Sequence, residues 1–361
     1  MVQFRECLNS LRPYTPGRPI EYVQKEFNLE SVIKLASNEN PYGCSKKVIE
    51  AIKNFDSHSI YPDGSCLELR SKLSGMLGVG PNNLIFGSGT DELIYLLSKS
   101  IINSGDECIT AEISFPQYAA SVMAMDGKVT YSKMKNYAYD LNDILAKITA
   151  RTKIIYISNP NNPTGTAFPK EQQLDFINKV PKNILTVFDE AYAEFMADGD
   201  MAPTETLQLT KAHENIVLLK TFSKAYGLAS FRVGYAVANE YIISNLEKIR
   251  NPFNVSSIAQ AAAIAALGDE SFLRYTVENN QKVKKYLYDE FSSLGLPYIP
   301  SYANFIMVDI KKDSNEIFKK LMSEGLIVRP GAAYGMPTFL RVSFGALHEM
   351  EKFISVLKKY L

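Results

Sequence analysis

Lys224 sits in the segment Thr221-Phe222-Ser223-Lys224-Ala225-Tyr226-Gly227-Leu228-Ala229-Ser230-Phe231-Arg232, directly after the aliphatic run Ile216 to Leu219. Such a run reads as a buried strand, so the lysine stands just past a strand end. Its amine can form an imine with a carbonyl. The hydroxyls of Thr221 and Ser223 and the guanidinium of Arg232 suit a phosphate. One small molecule that needs both is pyridoxal phosphate. Taken alone, the segment reads equally as an exposed Ser-Lys turn opening an ordinary helix.

Upstream segments favour the first reading. Residues 184 to 190, Ile-Leu-Thr-Val-Phe-Asp-Glu, form an apolar run ending in two carboxylates. That puts Asp189 at a strand's C-terminal end, where open α/β sheets bind ligands. A carboxylate there can pair with a protonated pyridine nitrogen and keep the ring an electron sink, although strand-terminal aspartates are also common turn and cap residues. Three residues on, Tyr192 is within reach of the ring's phenolic oxygen. A further strand, Lys153 to Ser158, runs into Asn159-Pro160-Asn161-Asn162-Pro163-Thr164-Gly165. Its prolines and glycine make a rigid turn, and an asparagine between prolines is a preorganised donor at a sheet edge.

In this order and at these separations, NPNNPTG, DEAYAEF and TFSKAYGLASFRVGY resemble the fold-type I pyridoxal-phosphate aminotransferases over nearly the whole chain. Leu11-Arg12-Pro13-Tyr14, Leu35-Ala36-Ser37-Asn38-Glu39-Asn40-Pro41, Tyr61-Pro62, Gly87-Ser88-Gly89-Thr90-Asp91-Glu92, Ile327-Val328-Arg329 and Leu340-Arg341-Val342 are similar to the histidinol-phosphate aminotransferases among them. The resemblance implies roles. Lys224 is the imine lysine, Asp189 the partner of the pyridine nitrogen, and Asn162 and Tyr192 the partners of the ring oxygen O3. Thr90 and Asp91 give backbone N–H groups to the cofactor phosphate at a helix N-terminus. Thr221, Ser223 and Arg232 complete that cradle. Phe115 falls where the family stacks an aromatic ring, often tyrosine, on the cofactor; phenylalanine keeps the stacking and drops the hydroxyl. Tyr61 is the residue that reaches the phosphate of the partner subunit's site, so the resemblance also implies a homodimer with shared active sites.

For substrate, Arg341 matches the arginine that holds an α-carboxylate, since a planar fork suits a bidentate oxyanion. Arg329 matches a second cation for a substrate phosphate. Tyr14 and Phe253 would line the imidazole end of the pocket, and Asn162 would also face the substrate. The implied reaction is an exchange of an amino group between L-histidinol phosphate and 2-oxoglutarate, giving imidazole acetol phosphate and glutamate by ping-pong kinetics. The same frame hosts aromatic or broad-range aminotransferases and a phosphothreonine decarboxylase. A noncatalytic effector-binding module would keep the cofactor site, but the chain carries no basic extension or helix-turn-helix pattern to accompany it.

Composition sets the limits. The chain has 361 residues, 46% of them hydrophobic, enough for two domains with their own cores. With 39 basic and 39 acidic residues, bulk charge points to neither nucleic acid nor an anionic membrane. Cys7, Cys44, Cys66 and Cys108 are far apart, and His58, His213 and His348 are scattered, so no metal site is expected. The N-terminus lacks an apolar leader pattern, and the expected location is cytoplasmic. The third glycine of a dinucleotide fingerprint after Gly87-Ser88-Gly89 is replaced by Glu92.

The expected fold is α/β. Strand-like runs at 84–86, 107–111, 128–134, 153–158, 184–189, 216–222 and 233–238 alternate with helical stretches at 90–103, 140–148, 169–179 and 239–250, which implies a mostly parallel seven-stranded sheet between helices. After about 256 come long helical stretches, strands at 306–310, 326–329 and 340–344, and a terminal helix from Leu347. The expected division is a large cofactor-binding domain over 42–255 and a smaller, discontinuous α+β domain from 1–41, the N-terminal arm, and 256–361.

Overall fold

The computed structural model describes residues 2–13, 17–196 and 204–361. Its main sheet has seven strands: β1 (Leu84–Gly87), β2 (Glu107–Ala111), β3 (Lys128–Ser132), β4 (Thr152–Ser158), β5 (Leu185–Asp189), β6 (Ile216–Thr221) and β7 (Gly234–Ala238). Their spatial order is β1-β7-β6-β5-β4-β2-β3. All neighbours are parallel except β7, which runs antiparallel to both β1 and β6.

Both faces of this sheet are covered, which is why its strands read as unbroken apolar runs rather than as alternating ones. Val217 and Leu219 of β6 pack with Leu93, Ile94 and Leu97 on one side. Ile216 packs with Phe176 and Ile177, and Leu218 with Leu84, Phe86 and Ala262, on the other. Each fully buried aliphatic side chain here contributes on the order of 2 kcal/mol relative to an exposed one.

Register then assembles the edge that matters. Gly234, the first residue of β7, pairs with both Gly87 at the end of β1 and Thr221 at the end of β6. Across the neighbouring pair, Ser158 lies opposite Asp189, and Asp189 opposite Leu219. The segments after β1, β4, β5 and β6 therefore leave from one edge of the sheet. Only glycine fits at 234: a Cβ would stand 3.0 Å from both the Lys220 carbonyl oxygen and the Thr90 nitrogen.

A second sheet, β8 (Tyr298–Ile299), β9 (Phe305–Asp309), β10 (Arg329–Pro330) and β11 (Phe339–Ser343), is antiparallel in the order β8-β9-β11-β10. The run expected as one strand over 326–329 divides, because Leu326–Ile327 pairs instead with Ile33–Lys34, in parallel. Ile306, Val308, Leu340 and Val342 form a second core with Leu287 and Phe291 of the helix Glu270–Ser293, Phe353 of the helix Leu347–Lys358, and Leu35. The run at 128–134 also stops short. After Ser132 the chain turns into a small hairpin pairing Met134–Lys135 with Ala138–Tyr139.

Two packing facts bear on the expected division. The helix Ser257–Leu267 lies beyond the expected boundary, yet its Ala259, Ala262, Ala263 and Ala266 are buried with Val48, Leu69 and β1. The N-terminal arm divides as well. Glu6–Ser10 lies by the helix Pro116–Met123, with Cys7 Sγ 3.8 Å from the Ala124 oxygen, whereas Leu35 enters the second core. A small cluster of Tyr192, Phe195, Ala225, Ala303 and Phe305 joins the two cores.

Candidate active site

Lys224 lies in the turn after β6, where its Nζ donates to the Ser37 carbonyl at 3.1 Å and stands 5.7 Å from the centre of the Tyr192 ring. Burial lowers its amine from the usual value to about 8, helped by the Arg341 and Arg232 guanidiniums and opposed by Glu39 and Asp91. A buried lysine of this kind holds a usable fraction of free base near neutral pH. The neighbouring Lys220 differs: it is held at 2.8 Å by Glu194. Chain geometry at the turn is exacting, for a Cβ on Gly227 would run into the Gly43 carbonyl, and its φ is +72°.

Asp189 is 4% exposed. It accepts from the Tyr118 hydroxyl at 2.7 Å and from the Ala191 N–H at 3.1 Å. Burial raises its carboxyl to about 6, while these two donors pull it down. The Tyr192 hydroxyl is reached by Asn38 Nδ2 at 3.0 Å and by Asn162 Nδ2 at 3.4 Å, and burial raises it to about 12. Phe115 caps the helix Pro116–Met123 and meets Tyr118 edge-on at 5.6 Å.

At the end of β1 the helix Gly89–Ile101 begins. Its early amides, those of Thr90 and Asp91 included, are the ones that helical geometry leaves without internal partners. Glu92 Oε2 accepts from the Ser88 N–H at 2.5 Å and from Asn254 Nδ2 at 2.8 Å, which fixes the turn. Ser223 N–H donates to Thr221 Oγ1 at 3.1 Å, and Arg232 Nη1 lies 3.3 Å from Ser223 Oγ. The Arg232 Nη2 to Asp91 distance is 3.5 Å, with both side chains about half exposed, so that pair is weak and readily exchanged for a stronger anion. A Cβ on Gly89 would come within 2.5 Å of Arg232 Nη2. Register has thus gathered amides, two hydroxyls and a guanidinium into a cradle with the chemistry of a phosphate site.

Arg341 on β11 is 5% exposed. Its Nη1 donates to Asn162 Oδ1 at 2.6 Å and to the Tyr334 hydroxyl at 3.2 Å, its Nη2 donates to the Ala36 carbonyl at 2.6 Å, and its Nε has no partner among the described residues. The guanidinium lies 5.4 Å from the ring of Phe305 and 5.7 Å from that of Tyr334. Arg329 on β10 is its direct antiparallel partner, so the two side chains leave the same face of the sheet.

Two expectations need restating. Tyr14 lies outside the described residues. Phe253 is stacked on Tyr61, rings 4.8 Å apart and 22° from parallel, and Tyr61 is 80% exposed. That joins Phe253 to Tyr61 as one surface unit.

Three contributors were given no individual role from the sequence. Asn38 is almost wholly buried at φ 55° and is tied to Ser343 as well as to Tyr192. Tyr334 is placed by the short turn Gly331–Tyr334. Tyr118 had one available clue: three residues after Phe115, it shares that residue's side of the helix.

Fold and site together define a transferase of amino groups, and the chain belongs to the aminotransferase class I and II family, whose model matches residues 30–358. It is 46% identical to the histidinol-phosphate aminotransferase of Caldicellulosiruptor saccharolyticus over 99% of this chain and 100% of that one. To the protein of the same name from Bacillus licheniformis it is 44% identical over 99% of each. The crystal structure of histidinol-phosphate aminotransferase from Sinorhizobium meliloti in complex with pyridoxal 5′-phosphate superposes with a TM-score of 0.90, at 28% identity over 100% of this chain and 99% of that one.

Proposed function

We infer that this chain is a pyridoxal 5′-phosphate-dependent transaminase that moves an amino group between L-histidinol phosphate and 2-oxoglutarate. Its relatives of that name match it from end to end. The observation that carries the substrate assignment is the in-register pair Arg329 and Arg341 beside Asn162. Two guanidiniums on one face suit a phosphate monoester in one half-reaction and a dicarboxylate in the other.

The residues present fit the cofactor. Thr90, Asp91, Thr221, Ser223 and Arg232 would hold its phosphate, Phe115 would stack on its ring, Asp189 would face the ring nitrogen, Asn162 and Tyr192 the ring oxygen, and Lys224 the aldehyde carbon. When bound, it supplies an electron sink for the charge left at the substrate's α-carbon. Lys224 Nζ, freed from the aldehyde carbon, would take the α-proton and deliver it to that carbon, on the far side of the amino nitrogen. Asp189, as a carboxylate, holds a proton on the ring nitrogen. Arg341 orients the anionic end of the amino donor, and Arg329 binds the phosphate of histidinol phosphate.

The same reading makes the enzyme a cytosolic homodimer with shared sites. Tyr61 at 80% exposure, with Ile60 at 69% and Leu67 at 65%, presents apolar surface that a second copy would cover. Stacked as they are, Tyr61 and Phe253 would enter the partner's site together. Among the described residues no helix is long and apolar enough to cross a membrane.

Steady-state comparison of histidinol phosphate, phenylalanine and phosphothreonine, each with 2-oxoglutarate, tests the assignment. Histidinol phosphate should be the preferred donor, and its oxo product should form with glutamate. Release of carbon dioxide from phosphothreonine would replace this reading with a decarboxylase. In Arg329→Ala, histidinol phosphate should lose about 2–4 kcal/mol of binding, the cost of a charge-assisted buried contact, while phenylalanine loses less. Equal losses for every substrate would make Arg329 structural.

A pH dependence follows from Lys224. Its free base is the nucleophile, and its amine titrates near 8 rather than at its usual value. The rate at which apoenzyme takes up pyridoxal phosphate should therefore rise with pH and level off above about 8. A rate still climbing towards pH 10, followed by stopped-flow absorbance, would contradict the buried amine.

A further inference from the structure

Tyr118 is fully buried, and its ring lies face to face on that of Tyr156, 4.9 Å between centroids and 5° from parallel. The Tyr156 hydroxyl donates to the Ile94 carbonyl at 3.0 Å and lies 2.9 Å from Ser98 Oγ. Ser98 Oγ is in turn 2.8 Å from Ser121 Oγ, which donates to the Tyr118 carbonyl at 3.0 Å. Ile94 and Ser98 belong to the helix Gly89–Ile101, Tyr118 and Ser121 to the helix Pro116–Met123, and Tyr156 to β4. At the near end of this closed unit the Tyr118 hydroxyl reaches Asp189 Oδ2, at 2.7 Å. At its far end is the helix whose first amides form the phosphate cradle.

We propose that Tyr118 is the positioning residue for Asp189: its hydroxyl, carried on a ring held in place by stacking on Tyr156, aims the carboxylate and keeps it ionised. This rests on the reading of Asp189 as the partner of the cofactor's ring nitrogen. The direction of the hydrogen bond is fixed by chemistry. Burial holds the Tyr118 phenol well above its ordinary range, so it keeps its proton and the carboxylate must accept. Around Asp189 stand Asp91, which favours the protonated acid, Lys224, which opposes it, and Tyr139, Tyr192 and Glu190, which it also faces. Burial pushes the carboxyl towards its neutral form, and a neutral acid gives a pyridinium no counter-charge. Losing the Tyr118 donor would also make Asp189 the stronger base, drawing the shared proton off the ring.

The test uses Tyr118→Phe, Tyr156→Phe and Asp189→Asn, each prepared as apoenzyme. The affinity for pyridoxal phosphate is measured by absorbance across about pH 5 to 9, with the thermal midpoint of each variant alongside. For the parent enzyme, affinity should fall on the acid side as Asp189 is protonated. Tyr118→Phe keeps the ring stack and removes one oxygen, so that acid limb should move up by about one to two pH units, with roughly 10- to 100-fold weaker binding between the two limbs. Tyr156→Phe should lower the thermal midpoint and leave the limb in place. Asp189→Asn should bind weakly without the limb. A limb unmoved in Tyr118→Phe, or moved as far in Tyr156→Phe, overturns the proposal while Asp189→Asn remains weak. Normal binding by Asp189→Asn would instead overturn the role given to Asp189 itself.

Discussion

Lys224→Ala is expected to lose turnover by several orders of magnitude, because on the proposed reading one amine would both join the cofactor and carry the α-proton. Borohydride reduction of the parent holoenzyme should fix cofactor mass to the peptide bearing Lys224. A label on Lys220 would refute the assignment, and Lys220 is the poorer nucleophile because its ammonium is held at 2.8 Å by Glu194. The same variant exposes the sharing of sites. If Tyr61 serves the neighbour, a Lys224→Ala chain paired with a Tyr61→Phe chain yields one site with both lesions and one with neither. Heterodimers should therefore recover activity above the sum of the two parent mutants, given that Tyr61→Phe alone is clearly impaired. Verified heterodimers without recovery would remove the shared site.

Arg341→Ala should impair both half-reactions, by about 2–4 kcal/mol for each anionic substrate. More is at stake than the lost contact. Removing the guanidinium strips a donor from Asn162 Oδ1, the Ala36 carbonyl and the Tyr334 hydroxyl at once, and empties the space between Phe305 and Tyr334. Arg341→Lys should not restore activity, since an ammonium cannot reproduce the planar fork. Arg341 is also one of the charges that hold the Lys224 amine low. The pH at which cofactor uptake levels off should accordingly rise in Arg341→Ala, and half-reactions followed by single-turnover absorbance would separate that change from lost substrate binding. Unchanged half-reactions with glutamate would take Arg341 out of the substrate site.

Much of this was legible in the chain. β4, β5 and β6 announce themselves as continuous apolar runs because both faces of each strand are buried, and a residue such as Asp189 or Lys224 that ends or follows such a run is placed at the sheet edge by that fact alone. Where the reading ran long, competing partners were the reason. Leu326–Ile327 left the expected strand because Ile33–Lys34, nearly three hundred positions away, offered it hydrogen bonds. Ser257–Leu267 crossed the expected boundary because its alanine face fits closely against Val48 and Leu69.

The alternation of strands and helices, the place of Lys224 just past a strand end, and the order of the three blocks that carry the family resemblance can all be read along the chain, since each depends on residues near one another in it. Which groups meet is set by the way the chain folds back on itself. Register places Gly87, Thr221 and Gly234 side by side and so builds the cradle, and it sets Arg329 opposite Arg341. Burial, which no local pattern measures, brings Lys224 down to about 8 and Asp189 up to about 6. Tyr118, Asn38 and Tyr334 acquire roles only through contacts with distant parts of the chain, because a hydrogen bond is defined by distance in space and leaves no spacing in the sequence to read.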